Sequence, residues 1–451
     1  MSRLGRVGVV RGRWIGGVRW EDIVRVRRIG NPPLQKQKVR LRGLRPRPQP
    51  AKAGFVPFPA AGFQPADDSN PPTTNPPTIS NLSASAYIRG MRPFTIDPDI
   101  ARAESLPAEV YHDPAWYAVH RERVFARSWQ LVRGAERVKA PGHMLPFTLL
   151  EGCLDEPLVL ASGEDSVVRC LSNVCTHRGT VVCEGEMHGR GLRCRYHGRR
   201  FALDGKMTFM PEFDGVENFP SPSDDLPQLP LERWGPLAFT ALDPMCSFAE
   251  WIGPVMERVG FLPLDQMVFD PGTSRDYLIG ANWALYCDNY LEEFHLPYVH
   301  ATLSDALDYS TYRTETFDWC SVQIGTTKHA KEAFALPAGH PDEGTLVAAY
   351  YWWLFPNLML NFYPWGLSLN LVQPLGPERT RVSFLSYVLD PAKRASGAGS
   401  DLHRVEMEDE EVVEAVQHGV RSRLYHRGRY SPRREVGTHH FHTLLARTTV
   451  P

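Results

Sequence analysis

The order of apolar and polar positions divides the chain into stretches of different periodicity. Residues 1–90 hold no sustained period: Arg/Gly-rich sequence passes into Pro-rich and Ser/Asn/Thr-rich sequence such as Asn70-Pro71-Pro72-Thr73-Thr74-Asn75-Pro76-Pro77. Such a stretch buries too little apolar surface to offset its ordering entropy, so it is expected to be disordered. An ordinary folded pattern begins near Tyr111. Asp113 suits a helix N-cap and Pro114 the first helical position. Trp116, Tyr117, His120 and Val124 then share one face of a helix expected to end near Trp129. From Val138 to Leu242 short apolar runs alternate with Gly, Pro and Asp. Leu158-Val159-Leu160, Val167-Val168 and Phe201-Ala202-Leu203 before Asp204-Gly205 are typical, and a small antiparallel β domain is expected. After Pro244 helical and strand patterns mix.

Three later segments carry stronger signals. The run from Asn282 to Leu296 reads as a helix stopped by Pro297, with Leu285, Asp288, Glu292 and His295 on one face. Strand alternation from Tyr350 to Phe355 sends Tyr351, Trp353 and Phe355 one way and Tyr350, Trp352 and Leu354 the other. In residues 401–420, Leu402, Val405, Val412, Val413, Val416 and Val420 form one helical stripe with Asp409 in its middle. Glu408, Glu410, Glu411 and Glu414 project away from it into solvent, and Glu406 sits at its margin.

Composition changes this picture in three ways. With 451 residues the chain exceeds what one core usually serves, so two or three domains are expected. No apolar run approaches the ~18 residues of a membrane span, and a net charge of −1 gives no reason to expect a nucleic-acid partner. The charge is uneven, however: residues 1–50 hold 14 Lys and Arg against Glu21 and Asp22, leaving 36 basic and 49 acidic residues in the rest. Few acids suit an organelle transit peptide, but serine is nearly absent there. Translation beginning at Met91 is the preferred reading. Five of the eight cysteines, Cys153, Cys170, Cys175, Cys183 and Cys194, crowd one region with no secretory segment before them. A metal site in a reducing, cytoplasmic compartment therefore fits better than a disulfide framework.

Cys175-Thr176-His177 is followed after sixteen residues by Cys194-Arg195-Tyr196-His197. Each half offers a thiolate and an imidazole on a short turn, and Gly179 and Gly198 let the backbone fold tightly behind them. A sulfide-bridged pair of irons needs four ligands in two pairs. A zinc site made from the same four residues is the alternative, although zinc knuckles usually pair Cys with Cys. His188 and the remaining cysteines have no comparable spacing and are expected to pack. The pattern C-x-H…C-x-x-H with Tyr-His-Gly, and Leu203-Asp204-Gly205 downstream, resembles a Rieske [2Fe–2S] domain. That resemblance implies that Cys175 and Cys194 hold one iron and His177 and His197 the other. Arg199 departs from it, standing where such oxygenases often have Trp.

His295 and His300 flank Pro297, and a turn there would bring both imidazoles to one metal. Two imidazoles and one carboxylate on one face of Fe(II) leave positions open for O₂ and substrate. Asp409 is the candidate carboxylate, because an acid in an apolar stripe is costly unless paired or bound to a cation. The segment Asn-Tyr-x-Glu-x-x-His-x-x-x-x-His, the late acidic helix and Phe441-His442 resemble the alpha subunits of Rieske non-haem iron oxygenases, especially those similar to choline monooxygenase. The resemblance covers most of residues 91–451. It implies that His295, His300 and Asp409 ligate iron and that Glu292 bridges toward a cluster histidine of a neighbouring subunit. Asn289 would support the iron ligands.

The fold so implied is α+β: an all-β Rieske domain over 138–242, and a helix-grip (START-like) catalytic domain with an antiparallel sheet over 243–451, to which 91–137 adds an N-terminal helical part. Electrons from NAD(P)H would arrive through a separate reductase or ferredoxin, since no Gly-rich dinucleotide fingerprint is present. They would pass through the cluster to Fe(II), where O₂ is activated, in what the resemblance implies is a homotrimer. The expected reaction is hydroxylation or oxidative dealkylation of a small organic molecule, a quaternary amine among the candidates. The aromatic runs Tyr350–Asn357 and Asn361–Gly366 would suit such a cation or an aromatic ring, though most of those side chains are expected to fill the core. Aromatic-ring cis-dihydroxylation is the alternative activity, and an electron-transfer Rieske protein without a second iron is the alternative class.

Overall fold

The computed structural model describes residues 93–300 and 307–449; the extension expected over 1–90 lies outside them. Packing begins ahead of Tyr111. Phe94, Ala103 and Leu106 are buried, and Arg427 and Arg429 hold this lead-in by donating to the carbonyls of Ser105 and Ala103. Helix α1 (Pro114–Arg123) starts as expected, Asp113 Oδ1 accepting from the Ala115 N–H at 2.8 Å. It ends at Arg123, short of Trp129. The chain then makes a 3-10 turn at Phe125–Arg127, and Gln130–Leu131 pairs as a strand with Leu237–Thr240. That strand belongs to the β region, so the β region starts before Val138.

The β region contains a five-stranded antiparallel sheet whose centre is His143–Leu149, Glu156–Ser162 and Val168–Ser172. Its middle strand is buried on both faces. Val159 and Ala161 face a core with Leu171, Leu192 and Phe201, while Leu158 and Leu160 face one with Val132, Leu145 and Ala238. Burial on both sides is why the run is continuously apolar rather than alternating. A three-stranded sheet, Leu192–Arg193, Arg200–Phe201 and Met207–Phe209, carries the second Cys/His loop.

The larger sheet has seven antiparallel strands: β1 (Val268–Ile279), β2 (Arg313–Thr316), β3 (Cys320–Thr326), β4 (Val347–Leu354), β5 (Leu358–Tyr363), β6 (Gly366–Gly376) and β7 (Arg379–Val388), in the order β1-β7-β6-β5-β4-β3-β2. It is a meander with β1 added beside β7, so each turn joins spatial neighbours. The aromatic strand β4 divides as alternation requires. Tyr350, Trp352 and Leu354 enter a core with Trp251, Ile252 and Val255 of helix α2 (Phe248–Val259). Trp353 and Phe355 enter the opposite core with Trp283 and Phe441.

On that opposite side lie helix α3 (Trp283–Tyr290), the single-turn helix α4 (Leu296–Val299), helix α5 (Leu402–Gly419) and helix α6 (Val436–Thr449). The one helix expected from Asn282 to Leu296 is thus two, and the break has an identifiable cause. The carboxylate of Glu292 accepts from the backbone N–H groups of Phe294 and His295, donors that a continuing helix would spend on its own carbonyls. The Tyr290 carbonyl is in turn taken by Gln323 Nε2 at 2.6 Å. Pro297 does not stop a helix; it sits in the first turn of α4, where its missing N–H costs nothing.

Candidate active site

The two Cys/His loops have matching backbones. The Cys175 N–H donates to the Thr180 carbonyl at 2.8 Å and the Cys194 N–H to the Arg199 carbonyl at 2.8 Å, while the Gly179 and Gly198 N–H groups return to the Cys175 and Cys194 carbonyls at 2.9 and 3.1 Å. Closing each loop requires a left-handed residue, φ 71° at Gly179 and 76° at Gly198, which a side chain would disfavour. Both cysteines are buried, whereas His197 is exposed and its ring meets that of His177 at 4.7 Å between centroids. Burial pushes the Cys175 thiol up; at Cys194 the backbone N–H groups of Tyr196 and His197 outweigh burial and lower it.

The donor set fits an iron–sulfur cluster. His177 Nδ1 is buried with no hydrogen-bond partner among the described residues, as a metal-binding nitrogen would be. Each loop contributes one thiolate and one imidazole, so the pair supplies the two thiolates and two imidazoles of such a cluster. Arg199 fills the place beside this site as a buried cation. It lies 5.8 and 5.5 Å from the ring centroids of Phe213 and Phe219, donates to Thr176 Oγ1 at 2.7 Å and meets Asp224 Oδ1 at 3.3 Å. The guanidinium thus occupies an aromatic slot and fastens the first loop. Cys153, Cys170 and Cys183 are buried free thiols in the core, and His188 stacks on His143 at 4.4 Å.

The second site is assembled from distant elements. α3 with the broken segment after it supplies Asn289, Glu292, His295 and His300; α5 supplies Asp409. One ligand atom each from His295, His300 and Asp409 lie within 4.8 Å of one another, which could hold one metal ion. Asp409 Oδ1 is 3.0 Å from His300 Nε2, 3.5 Å from His295 Nε2 and 2.7 Å from Asn289 Nδ2. The outer nitrogens are held too: His295 Nδ1 by Glu292 Oε1 at 2.6 Å and His300 Nδ1 by Glu408 Oε2 at 2.8 Å. Each carboxylate fixes its imidazole so that Nε2 faces the site, an arrangement common around metal-binding histidines. Burial lowers the His300 imidazole, but Asp409 and Glu408 outweigh it and hold its pKa above the ordinary value.

Glu408 therefore does not project idly into solvent. Glu406, read as marginal, is 1% exposed, with Tyr286 Oη donating to its Oε2 at 2.6 Å. Burial, aided by Asp409 and Glu410, holds its carboxyl well above the usual carboxylate range. Glu410 is half-buried, its pKa likewise raised by burial. The apolar stripe of α5 also has another destination. Leu402 and Val405 line a cleft over the triad, and Val412, Val413, Val416 and Val420 line a second cleft on the other side of Glu292 and His295. Asp409 stands at the edge of the first cleft rather than within packed core.

That first cleft spans about 720 Å³ of space, the open solvent at its mouth included. Beyond the triad, its wall includes Tyr290, Tyr312, Tyr351 and Tyr363 with Gln323, Asn361 and Asn370. These polar positions had a legible signal: Asn361 and Asn370 interrupt otherwise apolar strands, which is costly unless they are paired or face a cavity. The second cleft exposes Asp288, whose Oδ1 meets His442 Nε2 at 2.7 Å and whose Oδ2 accepts from Tyr111 Oη at 2.7 Å. His442 Nδ1 is bonded to Tyr430 Oη at 2.5 Å.

Comparison with known proteins identifies both domains. Residues 128–220 match the Rieske [2Fe-2S] domain, and residues 264–449 match the ring hydroxylating alpha subunit catalytic domain. The chain belongs to the alpha subunits of Rieske non-haem iron oxygenases, and it is an oxidoreductase of that family. It is 32% identical over 375 residues to the chloroplastic choline monooxygenase of Arabidopsis thaliana, covering 77% of this chain and 84% of that protein. It is 30% identical over 388 residues to the carnitine monooxygenase oxygenase subunit of Escherichia coli (strain K12), covering 82% and 99%. In fold it is similar to a quaternary ammonium Rieske monooxygenase described as oxidising carnitine with inter-subunit electron transfer, at TM-score 0.65 and 22% identity over 80% of this chain and 100% of that one. Naphthalene 1,2-dioxygenase from Rhodococcus sp. shares the fold at TM-score 0.57 and 20% identity, over 76% and 93%. Among the described residues no helix is long and apolar enough to cross a membrane.

Proposed function

We propose that this oxygenase acts on a quaternary amine, hydroxylating it or removing an alkyl group by oxidation. The observation that carries this reading is the wall of the first cleft. Five tyrosines and the acids Glu292, Glu406 and Asp409 line it, with no Lys or Arg among the described lining residues. Aromatic faces and negative charge attract a quaternary ammonium group and offer an aromatic hydrocarbon only half of what it needs. The named relatives that act on choline and carnitine support it.

In this reading Cys175, His177, Cys194 and His197 hold the [2Fe–2S] cluster, and His295, His300 and Asp409 hold the mononuclear iron. When bound, these groups supply one-electron transfer and O₂ activation. The residues around them do the positioning. Glu292 and Glu408 keep the Nδ1 atoms of His295 and His300 occupied, so that each Nε2 is free toward the site. Asn289 steadies Asp409. The cleft walls hold the substrate over the triad and limit water. Exposed His197 at the edge of the β domain and Glu292 at the second cleft suit electron passage between subunits, Glu292 bridging toward a neighbour's cluster histidine in a homotrimer. A separate NAD(P)H-dependent reductase or ferredoxin supplies the electrons. Eight free cysteines accord with a reducing, cytoplasmic location.

The test is a turnover panel with a surrogate reductase, choline, L-carnitine, γ-butyrobetaine and naphthalene, read by mass spectrometry. Oxygenation of a quaternary amine is the expected result. Oxygenation of naphthalene alone would establish cis-dihydroxylation instead.

A further inference from the structure

The first cleft contains more polar atoms than the iron triad uses. Glu292 and Asp409 are engaged by His295, His300, Asn289 and backbone N–H groups. Among the described residues, two buried polar atoms on the same wall have no hydrogen-bond partner, Glu406 Oε1 and Gln323 Oε1. Gln323 Oε1 can only accept, and its Nε2 is spent on the Tyr290 carbonyl at 2.6 Å; Glu406 Oε1 only accepts once the carboxyl is ionised, a state that burial opposes and a cation seated beside it restores. Buried acceptors left unpaired are expensive, and a ligand carrying positive charge would relieve that cost. The rings are arranged to receive one. The Tyr351 ring lies 6.3 Å from that of Tyr312 at 21° and 5.9 Å from that of Tyr363 at 80°, making two walls of a box.

We propose that Glu406 is the substrate-binding carboxylate, pairing with the positive nitrogen of the bound amine, while the tyrosines enclose its alkyl groups. Tyr286 fixes the carboxyl by donating to Oε2 at 2.6 Å, which leaves Oε1 for the ligand. Glu406 lies one helical turn from Asp409 on α5, so the same helix that presents an iron ligand sets where the cation rests. Specificity for cations and placement over the iron then share one rigid element. The proposal deepens the quaternary-amine reading and rests on it.

The test is calorimetric binding to the intact, iron-loaded protein, using choline, L-carnitine and γ-butyrobetaine, with 3,3-dimethylbutan-1-ol as the neutral carbon counterpart of choline. Glu406→Gln keeps the shape and the Tyr286 bond but removes the charge. Its affinity for the amine that the wild type binds is expected to fall by about tenfold or more, with the neutral alcohol bound at least as well as before. Glu406→Asp, retaining the charge, is expected to recover part of the loss. Equal amine binding by wild type and Glu406→Gln would overturn the proposal. So would equal loss of amine and alcohol, which indicates a merely structural carboxyl. If no quaternary amine binds the wild type, the substrate reading itself fails, and the role given to Glu406 with it.

Discussion

The two proposed iron sites of this chain are built in opposite ways. The cluster site comes from two loops separated by sixteen residues, each closed by its own backbone hydrogen bonds and its own left-handed glycine. The mononuclear site joins a broken helix to an acid on another helix, and its geometry exists only when α3 and α5 are packed together. Local chemistry specifies the first; tertiary structure specifies the second. The sites should therefore be separable, and damage to one should leave the other standing.

The largest expected effects come from reciprocal substitutions. Asp409→Ala should remove the mononuclear iron and reduce turnover below about 1% of wild type, leaving the cluster's visible and EPR spectra intact. Cys175→Ser should do the reverse, abolishing the cluster spectrum while about one iron per chain remains. Loss of both sites in either variant would erase the distinction. Next in size, Glu408→Gln should weaken iron binding at the mononuclear site by about 10–100-fold, measured by competition with a chelator, because His300 Nδ1 loses its carboxylate.

A smaller effect is set by pH. In the metal-free site the His300 pKa is raised above 6.5 by its two carboxylates. That pairing stabilises the iron-free protein fully below the unfolded value and is lost as pH rises through the folded one. Iron needs the neutral imidazole, so iron affinity should climb across the same window. A flat titration would show that His300 does not ligate. Smallest is Arg199→Met. Removing a buried positive charge beside the cluster should lower its reduction potential in an EPR-monitored titration, with amine affinity unchanged. An unaltered potential would make Arg199 only a packing residue.

Much of this was legible in residues, and the failures share a cause. The Cys/His loops were readable because turns are local. The structure brings His295, His300 and Asp409 together, although two of the sequence arguments for them fail: the helix ends at Tyr290, and Pro297 lies in the first turn of a new helix rather than stopping one. Neither Glu292 reaching its own neighbours' N–H groups nor Gln323 taking the Tyr290 carbonyl can be seen in a periodic pattern. Helical phase found Asp409 but misjudged its neighbours. The stripe of α5 faces two clefts, so apolar positions did not mark the buried side, and Glu406 and Gln417 are buried through polar contacts with Tyr286 and Asn282. Glu408 was missed because its partner, His300, lies 108 residues away.

The most direct measurement is iron, acid-labile sulfide and zinc content of the purified, reconstituted wild-type protein, alongside its EPR spectrum. The expected result is about three irons and two sulfides per chain, with a reducible cluster signal distinct from a mononuclear ferrous site. Zinc in place of iron and sulfide would contradict the account, and two irons alone would leave an electron carrier with no oxygenase site.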